Sequence, residues 1–149
     1  MTNGGSIEMI ATGNVTQTFL VMSNELSTPK ILICTGDRNS QDDTSRTFAI
    51  NFSELSNSNI SYFVSADVTN ETNPQMILSG DSNFEVGSTL VKPGLRQFWT
   101  NDPVAWMATR HVNAGNIGLA DGSVQLTTSL KLRDFLQQTG LVTNRFAIP

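Results

Sequence analysis

Residues 110–128 read RHVNAGNIGLADGSVQLTT, and the fold turns on how this stretch is paired. Two runs of alternating polarity, residues 116–120 and 123–127, flank the dipeptide Asp121-Gly122. Asp tolerates and Gly prefers the positive φ of a type I′ turn, so Asp-Gly between such runs predicts a β-hairpin. A two-residue turn also sets a register, with Ala120 opposite Ser123, Leu119 opposite Val124 and Ile117 opposite Leu126. Ile117, Leu119, Val124 and Leu126 would then share one buried face, leaving Gly118 and Gln125 on the other.

The same stretch carries a family resemblance. His111, nine residues, then Asp121-Gly122 resembles the signature of the H-X9-DG domain of bacterial prepilin-type proteins. Arg110, Asn113, Gly115, Asn116, Ala120, Ser123 and Val124 fit the surroundings of that signature. Two further blocks resemble the same family: PKILICTGD at residues 29–37, and ISYFV followed by MILSGDSN between Ile60 and Asn83. The resemblance implies a type IV pilin-like globular head spanning residues 1–149 as a single domain. It also implies a hydrophobic N-terminal helix preceding residue 1 and absent from this sequence, which would hold the protein in the inner membrane. The implied role is that of a pseudopilin-like structural subunit of a type II secretion or related export or surface filament. Its partners would be other pilin-like subunits and secretion-system components, and its location extracytoplasmic. Arg110, His111, Asn113, Asp121 and Gly122 would then be signature residues with structural roles and no catalytic one.

Composition narrows the alternatives independently. Charged residues make up 15% of the chain, against about 25% in typical globular domains. Uncharged polar residues replace them: Asn, Ser and Thr number 14, 15 and 17, a bias that favours strands and hydrogen-bonded turns. The net charge of −4, with nine Lys and Arg spread along the chain, offers no concentrated positive face for phosphates, so nucleic acid is not an expected partner. A single cysteine, Cys34, excludes an internal disulfide. Its apolar setting after Ile31-Leu32-Ile33 favours a small buried residue over a nucleophile. No run approaches the ~20 apolar residues of a membrane span.

Along the chain, residues 1–13 are Gly/Asn/Thr-rich and are expected to be extended or flexible. Asn14 is placed to cap a helix with Gln17 at its third position. Val15, Phe19, Met22 and Leu26 then form one apolar stripe, predicting a helix over residues 15–26 that ends before Pro29. The apolar run 31–34 predicts a central strand. Phe48, Phe52 and Leu55, with Asn51 as cap, predict a short helical turn, and residues 58–65, 75–79 and 104–109 read as strands. Residues 84–103, punctuated by Gly87, Pro93, Gly94 and Pro103, are the least legible. Ser129 is placed to cap a last helix with Leu132, Phe135 and Leu136 inward and Gly140 closing it, followed by an extended tail through Phe146 and Ile148. The expected architecture is α+β, an antiparallel sheet of roughly four to six strands with packed helices on one face.

Candidate sites are few. The polar loop 35–45 offers the oxygen ligands Asp37, Asp42 and Asp43, but its spacing fails the EF-hand pattern, with Asp42 in place of the turn glycine and Phe48 in place of the bidentate Glu. A zinc site needs three or four His, Cys or carboxylate ligands, and one His and one Cys far apart in sequence predict none. Glycine spacing for a phosphate or dinucleotide cradle is also missing, so no cofactor is expected. His111, the only histidine, could act as a base oriented by Asp121 or Asp102 with Ser123 as nucleophile. No G-x-S-x-G elbow supports this, which leaves His111 as a hydrogen-bonding strut at the entry to the hairpin, bonded to backbone or to Asn113. Trp99, in a polar loop, is either tucked onto the domain or a contact residue. The latter would suit an extracytoplasmic binding module, an adhesin or carbohydrate-contacting head using Trp99, Tyr62 and the Asn/Ser/Thr surface.

Overall fold

The computed structural model describes residues 6–39, 46–68 and 73–149. Nine strands occur among them, all paired antiparallel: β1 (Tyr62–Ser65), β2 (Ile77–Asp81), β3 (Phe84–Val86), β4 (Thr89–Leu90), β5 (Gly94–Trp99), β6 (Val104–Trp106), β7 (Ala114–Leu119), β8 (Val124–Thr128) and β9 (Thr143–Ile148). A six-stranded sheet runs β5-β9-β1-β2-β7-β8, and a three-stranded sheet runs β4-β3-β6. The α-helices are α1 (Ser6–Ala11), α2 (Val15–Val21), α3 (Ser23–Leu26) and α4 (Ser129–Gln138).

This architecture overturns the expected α+β, type IV pilin-like head. The fold is β-rich, and the longest described helix, α4, has only 10 residues. Four local corrections accompany it. The stripe predicting a helix over residues 15–26 is divided between α2 and α3, because Met22 leaves helical geometry as the C-cap of one and the N-cap of the other. Asn14 does cap α2, accepting the Gln17 N–H at 2.9 Å. The predicted strand 31–34 instead begins in a 3-10 turn, Pro29–Leu32, with Thr28 capping and Pro29 in the first turn, where its fixed φ suits a helical start. Residues 84–103 supply three strands the sequence did not show. At the N-terminus, where an extended or flexible segment was expected, residues 6–11 are helical.

Both faces of the large sheet are packed. On the inner face, Phe63, Ile77, Phe98, Ile117, Leu119, Phe146 and Ile148 meet Phe84, Val104 and Trp106 of the small sheet and Leu132, Phe135 and Leu136 of α4. Phe63 stacks on Phe146 at 4.4 Å and meets Phe84 edge-on at 5.5 Å, both favoured aromatic arrangements. Gly115 lies flat under Trp106, where a Cβ would sit 2.6 Å from the indole ring. On the outer face, Val15 and Phe19 of α2 pack with Leu32, Leu55, Ile60, Val64 and Ala147.

The hairpin forms, but one residue out of the expected register. Gly118 opposes Val124, Asn116 opposes Leu126 and Ile117 opposes Gln125. The loop has three residues, Ala120-Asp121-Gly122: the Gly122 N–H donates to Leu119 O at 3.0 Å, and the Leu119 N–H donates to Ser123 O at 2.9 Å. Only Gly122 has positive φ, +85°, as in a type I turn closed by a left-handed glycine rather than a type I′ turn. Asp121 accepts the Ser123 N–H at 2.9 Å, and hydrogen bonding from Ser123 holds its carboxyl below the usual value. Because side chains alternate with period two, the slip moves Val124 and Leu126 to the outer face. They are 69% and 71% exposed, while Thr127 is buried.

Candidate functional site

The polar centre of the molecule lies where the ends of β1, β2 and β7 meet the chain near Cys34. Ser61, just before β1, is its hub. Its Oγ accepts the Cys34 N–H at 2.9 Å and donates to Asp37 Oδ2 at 2.7 Å. Its carbonyl accepts from Ser82 N–H and Oγ and from Arg110 Nη1. Asp37, 2% exposed, is held between two guanidinium groups, Arg110 Nη2 at 2.7 Å from Oδ1 and Arg46 Nε at 3.2 Å from Oδ2. Arg46 also donates to the carbonyls of Asn57 and Ile60. Burial lowers the Arg46 pKa from its usual value, with Asp37 opposing the fall and Arg110 adding to it. Breaking such a buried network strands a charge.

Beside this network, three chemically reactive side chains converge. The bend after Arg110, where Val112 and Asn113 both take positive φ, +52° and +61°, brings His111 back over the end of β2. His111 Nε2 is 3.2 Å from Cys34 Sγ and 3.5 Å from Asp81 Oδ2. Asp81, the last residue of β2, is 1% exposed. Its Oδ2 accepts from the Asn116 N–H at 2.7 Å and from Asn116 Nδ2 at 3.2 Å, while Oδ1 is buried without a hydrogen-bond partner among the described residues. Tyr62 is the register partner of Asp81. Burial, reinforced by nearby Cys34 and Asp81, pushes its phenol up to about 12. Next to the arginines, a cavity of about 130 Å³ is bordered by Arg46, Arg110 and Asn83, and the Asn83 amide is buried with no partner among the described residues.

This geometry is not that of a nucleophilic triad. A Cys-His-Asp relay places nucleophile and orienting acid on opposite ring nitrogens of the histidine, whereas Sγ and Oδ2 here both approach Nε2. The hydrolase partners proposed from sequence are elsewhere: Asp121 and Ser123 sit at the hairpin tip beyond the far end of β7, and Asp102 accepts the Trp99 N–H at 2.8 Å. Where His111 was expected to bond to backbone or to Asn113, its Nε2 instead approaches Cys34 and Asp81, and Asn113 is exposed. Asp37 is engaged with two arginines, and Asp42 and Asp43 lie outside the described residues. Trp99 is 55% exposed at the end of β5 while Phe98 is buried, so Phe98 rather than Trp99 is the anchor.

Cys34, Ser61, Asp81 and Asn116 were not singled out as site residues from sequence, since they stand far apart and no local spacing links them. The signal was nonetheless present in the blocks that carry the family resemblance. The first supplies Cys34 and Asp37, the second Ser61, Tyr62 and Asp81, and the third Arg110, His111 and Asn116. The chain matches no family model, no curated protein and no solved structure.

Proposed function

We propose that the chain is a structural subunit of an export or surface filament, pseudopilin-like in role though β-rich in fold, acting outside the cytoplasm and without catalysis of its own. The observation that carries this is the β8 edge. Among the described residues β8 has a neighbour on one side only, and its sequence VQLTT holds no charge or proline. Sheet edges left so unguarded invite pairing with another chain. Beside it, Val124 and Leu126 project from the outer face together with Leu78, which is 43% exposed. The opposite edge, β5, lies five strands away in the same sheet, so contact between unlike edges of successive copies is head-to-tail and propagates. The convergence of all three resemblance blocks on one buried network supports the family-level role. Other subunits, components of a secretion apparatus and the inner membrane are the partners this reading requires. No described helix is long and apolar enough to cross a membrane.

The test is photo-crosslinking in the native host from a reactive residue placed at Leu126. Crosslinked multimers of the chain, lost when Val124 is changed to Lys, are expected. A chain that stays uncrosslinked refutes the filament role. The exposed indole of Trp99 favours one second reading, a glycan-binding head, which would show as glycan binding abolished by Trp99→Ala.

A further inference from the structure

We infer that Cys34, Asp81 and His111 form a binding site for a divalent transition-metal ion, zinc by the chemistry of its donors. One sulfur, one imidazole nitrogen and one carboxylate oxygen lie within 4.8 Å of one another. Zinc bonds of about 2.0–2.3 Å in tetrahedral geometry place neighbouring donors roughly 3.3–3.6 Å apart. The observed Sγ–Nε2 and Nε2–Oδ2 separations of 3.2 and 3.5 Å lie close to this range, and the sulfur–carboxylate pair, within 4.8 Å, closes by rotation of the two side chains.

Hydrogen bonding alone accounts poorly for the trio. Nε2 carries at most one proton, so it can serve either the thiol or the carboxylate, and the other partner then faces it uncompensated. A cation bound at all three atoms removes that conflict. The buried, unpartnered Oδ1 of Asp81 is an independent sign that the carboxylate's bonding is incomplete. The surroundings are those of a supported site. Asn116 fixes the carboxylate through two hydrogen bonds to Oδ2, and Ser61 fixes the Cys34 backbone, the kind of outer support that orients metal ligands. The charges also balance. Binding releases the thiol proton to solvent, and thiolate plus carboxylate neutralise the dication, while Arg46 and Arg110 are occupied with Asp37. The His111 side chain is 30% exposed, giving an entry path, and water completes a fourth position. The ion would tie together three chain segments that no disulfide can join, and this role is independent of the filament reading.

The test uses cobalt(II) as probe on the chelator-treated chain, followed by displacement with zinc. One equivalent per chain is expected to give a thiolate-to-cobalt charge-transfer band and the strong visible absorption of a tetrahedral ion. The band should vanish in Cys34→Ser, and affinity should fall at least about tenfold in His111→Gln and Asp81→Asn, each checked for native circular dichroism. Should a variant fail to fold, zinc protection of the wild-type thiol from alkylation, together with a zinc-dependent rise in melting temperature, carries the same information. A folded wild type with no thiolate band overturns the site, as does a band that persists at full affinity in folded His111→Gln and Asp81→Asn, which would mark a cysteine-only adduct.

Discussion

Replacing Gly122 with alanine isolates the conformational cost of the hairpin turn from any packing cost. A Cβ built at Gly122 meets nothing within 4 Å, so no steric term enters. What remains is the backbone: at φ +85°, a non-glycine L-residue is penalised by about 1–2 kcal/mol. With a urea m-value of ~2 kcal/mol/M for a chain of this size, the unfolding midpoint should fall by roughly 0.5–1 M with unchanged slope. The buried indole of Trp106, 2% exposed, makes fluorescence a suitable probe. Gly122→Asn should recover most of the loss, since Asn tolerates the left-handed region. Asp121→Ala should cost less than Gly122→Ala, because φ is not positive at Asp121 and only its exposed hydrogen bonds with the Ser123 N–H and side chain are lost. If Asp121→Ala is as damaging as Gly122→Ala, both residues must be left-handed. The turn would then be the two-residue type I′ form, and the outward placement of Val124 and Leu126 would fail with it.

Tyr62 is the only tyrosine, so phenolate absorbance titrates it alone. Its pKa, raised from 10.0 to about 12, means that the neutral phenol contributes stability fully below about pH 10, and that this is lost as pH rises through about 12. A folded-state midpoint near 10 would contradict its burial beside Cys34 and Asp81. Asp37→Asn removes the carboxylate that neutralises Arg46 and Arg110 and should destabilise by about 3–5 kcal/mol in urea unfolding; a loss below about 1 kcal/mol would show the network to be solvent-compensated. Gly115→Ala drives a Cβ to 2.6–2.7 Å from three Trp106 ring atoms and should cost about 1–3 kcal/mol. Most of that cost should disappear when Trp106 is first reduced to Leu; equal costs in both backgrounds would place the clash elsewhere. Leu126→Lys, at a site 71% exposed, should leave the melting temperature within about 2 °C, since surface changes stay within ±0.5 kcal/mol; a larger fall would mean that Leu126 is packed within the single chain.

What the sequence reveals is mostly local. Asn14 before a stripe of apolar residues, and Leu132, Phe135 and Leu136 ahead of Gly140, carry their caps and spacings in neighbouring positions. Those helices are accordingly legible, although Thr128, whose Oγ1 accepts the Lys131 N–H, caps α4 in place of Ser129. The hairpin is legible as a hairpin, but its register depends on whether one residue or two enter the left-handed region, and Asp-Gly satisfies both. Residues 84–103 hide three strands because β3 and β4 span only three and two residues around Gly87, too few to show an alternation, and β5 pairs with β9, more than 40 residues further along the chain. The candidate centre is illegible for the same reason: Cys34, Asp81 and His111 come together only when the strand ends are aligned. Ile31, 52% exposed, shows that an apolar run without periodicity can be a turn with one outward residue.

The position of β9 between β5 and β1 also sets the order of events as the polypeptide is made. Residues 143–148 bridge two strands that share no pairing of their own, so until they emerge β5 has no partner in the large sheet and Phe63 lacks the ring of Phe146. A nascent chain held short of that point keeps much of its aromatic surface in water, with loop closures of more than 40 residues still to make. Such long-range pairing is slow and leaves the chain open to capture by chaperones.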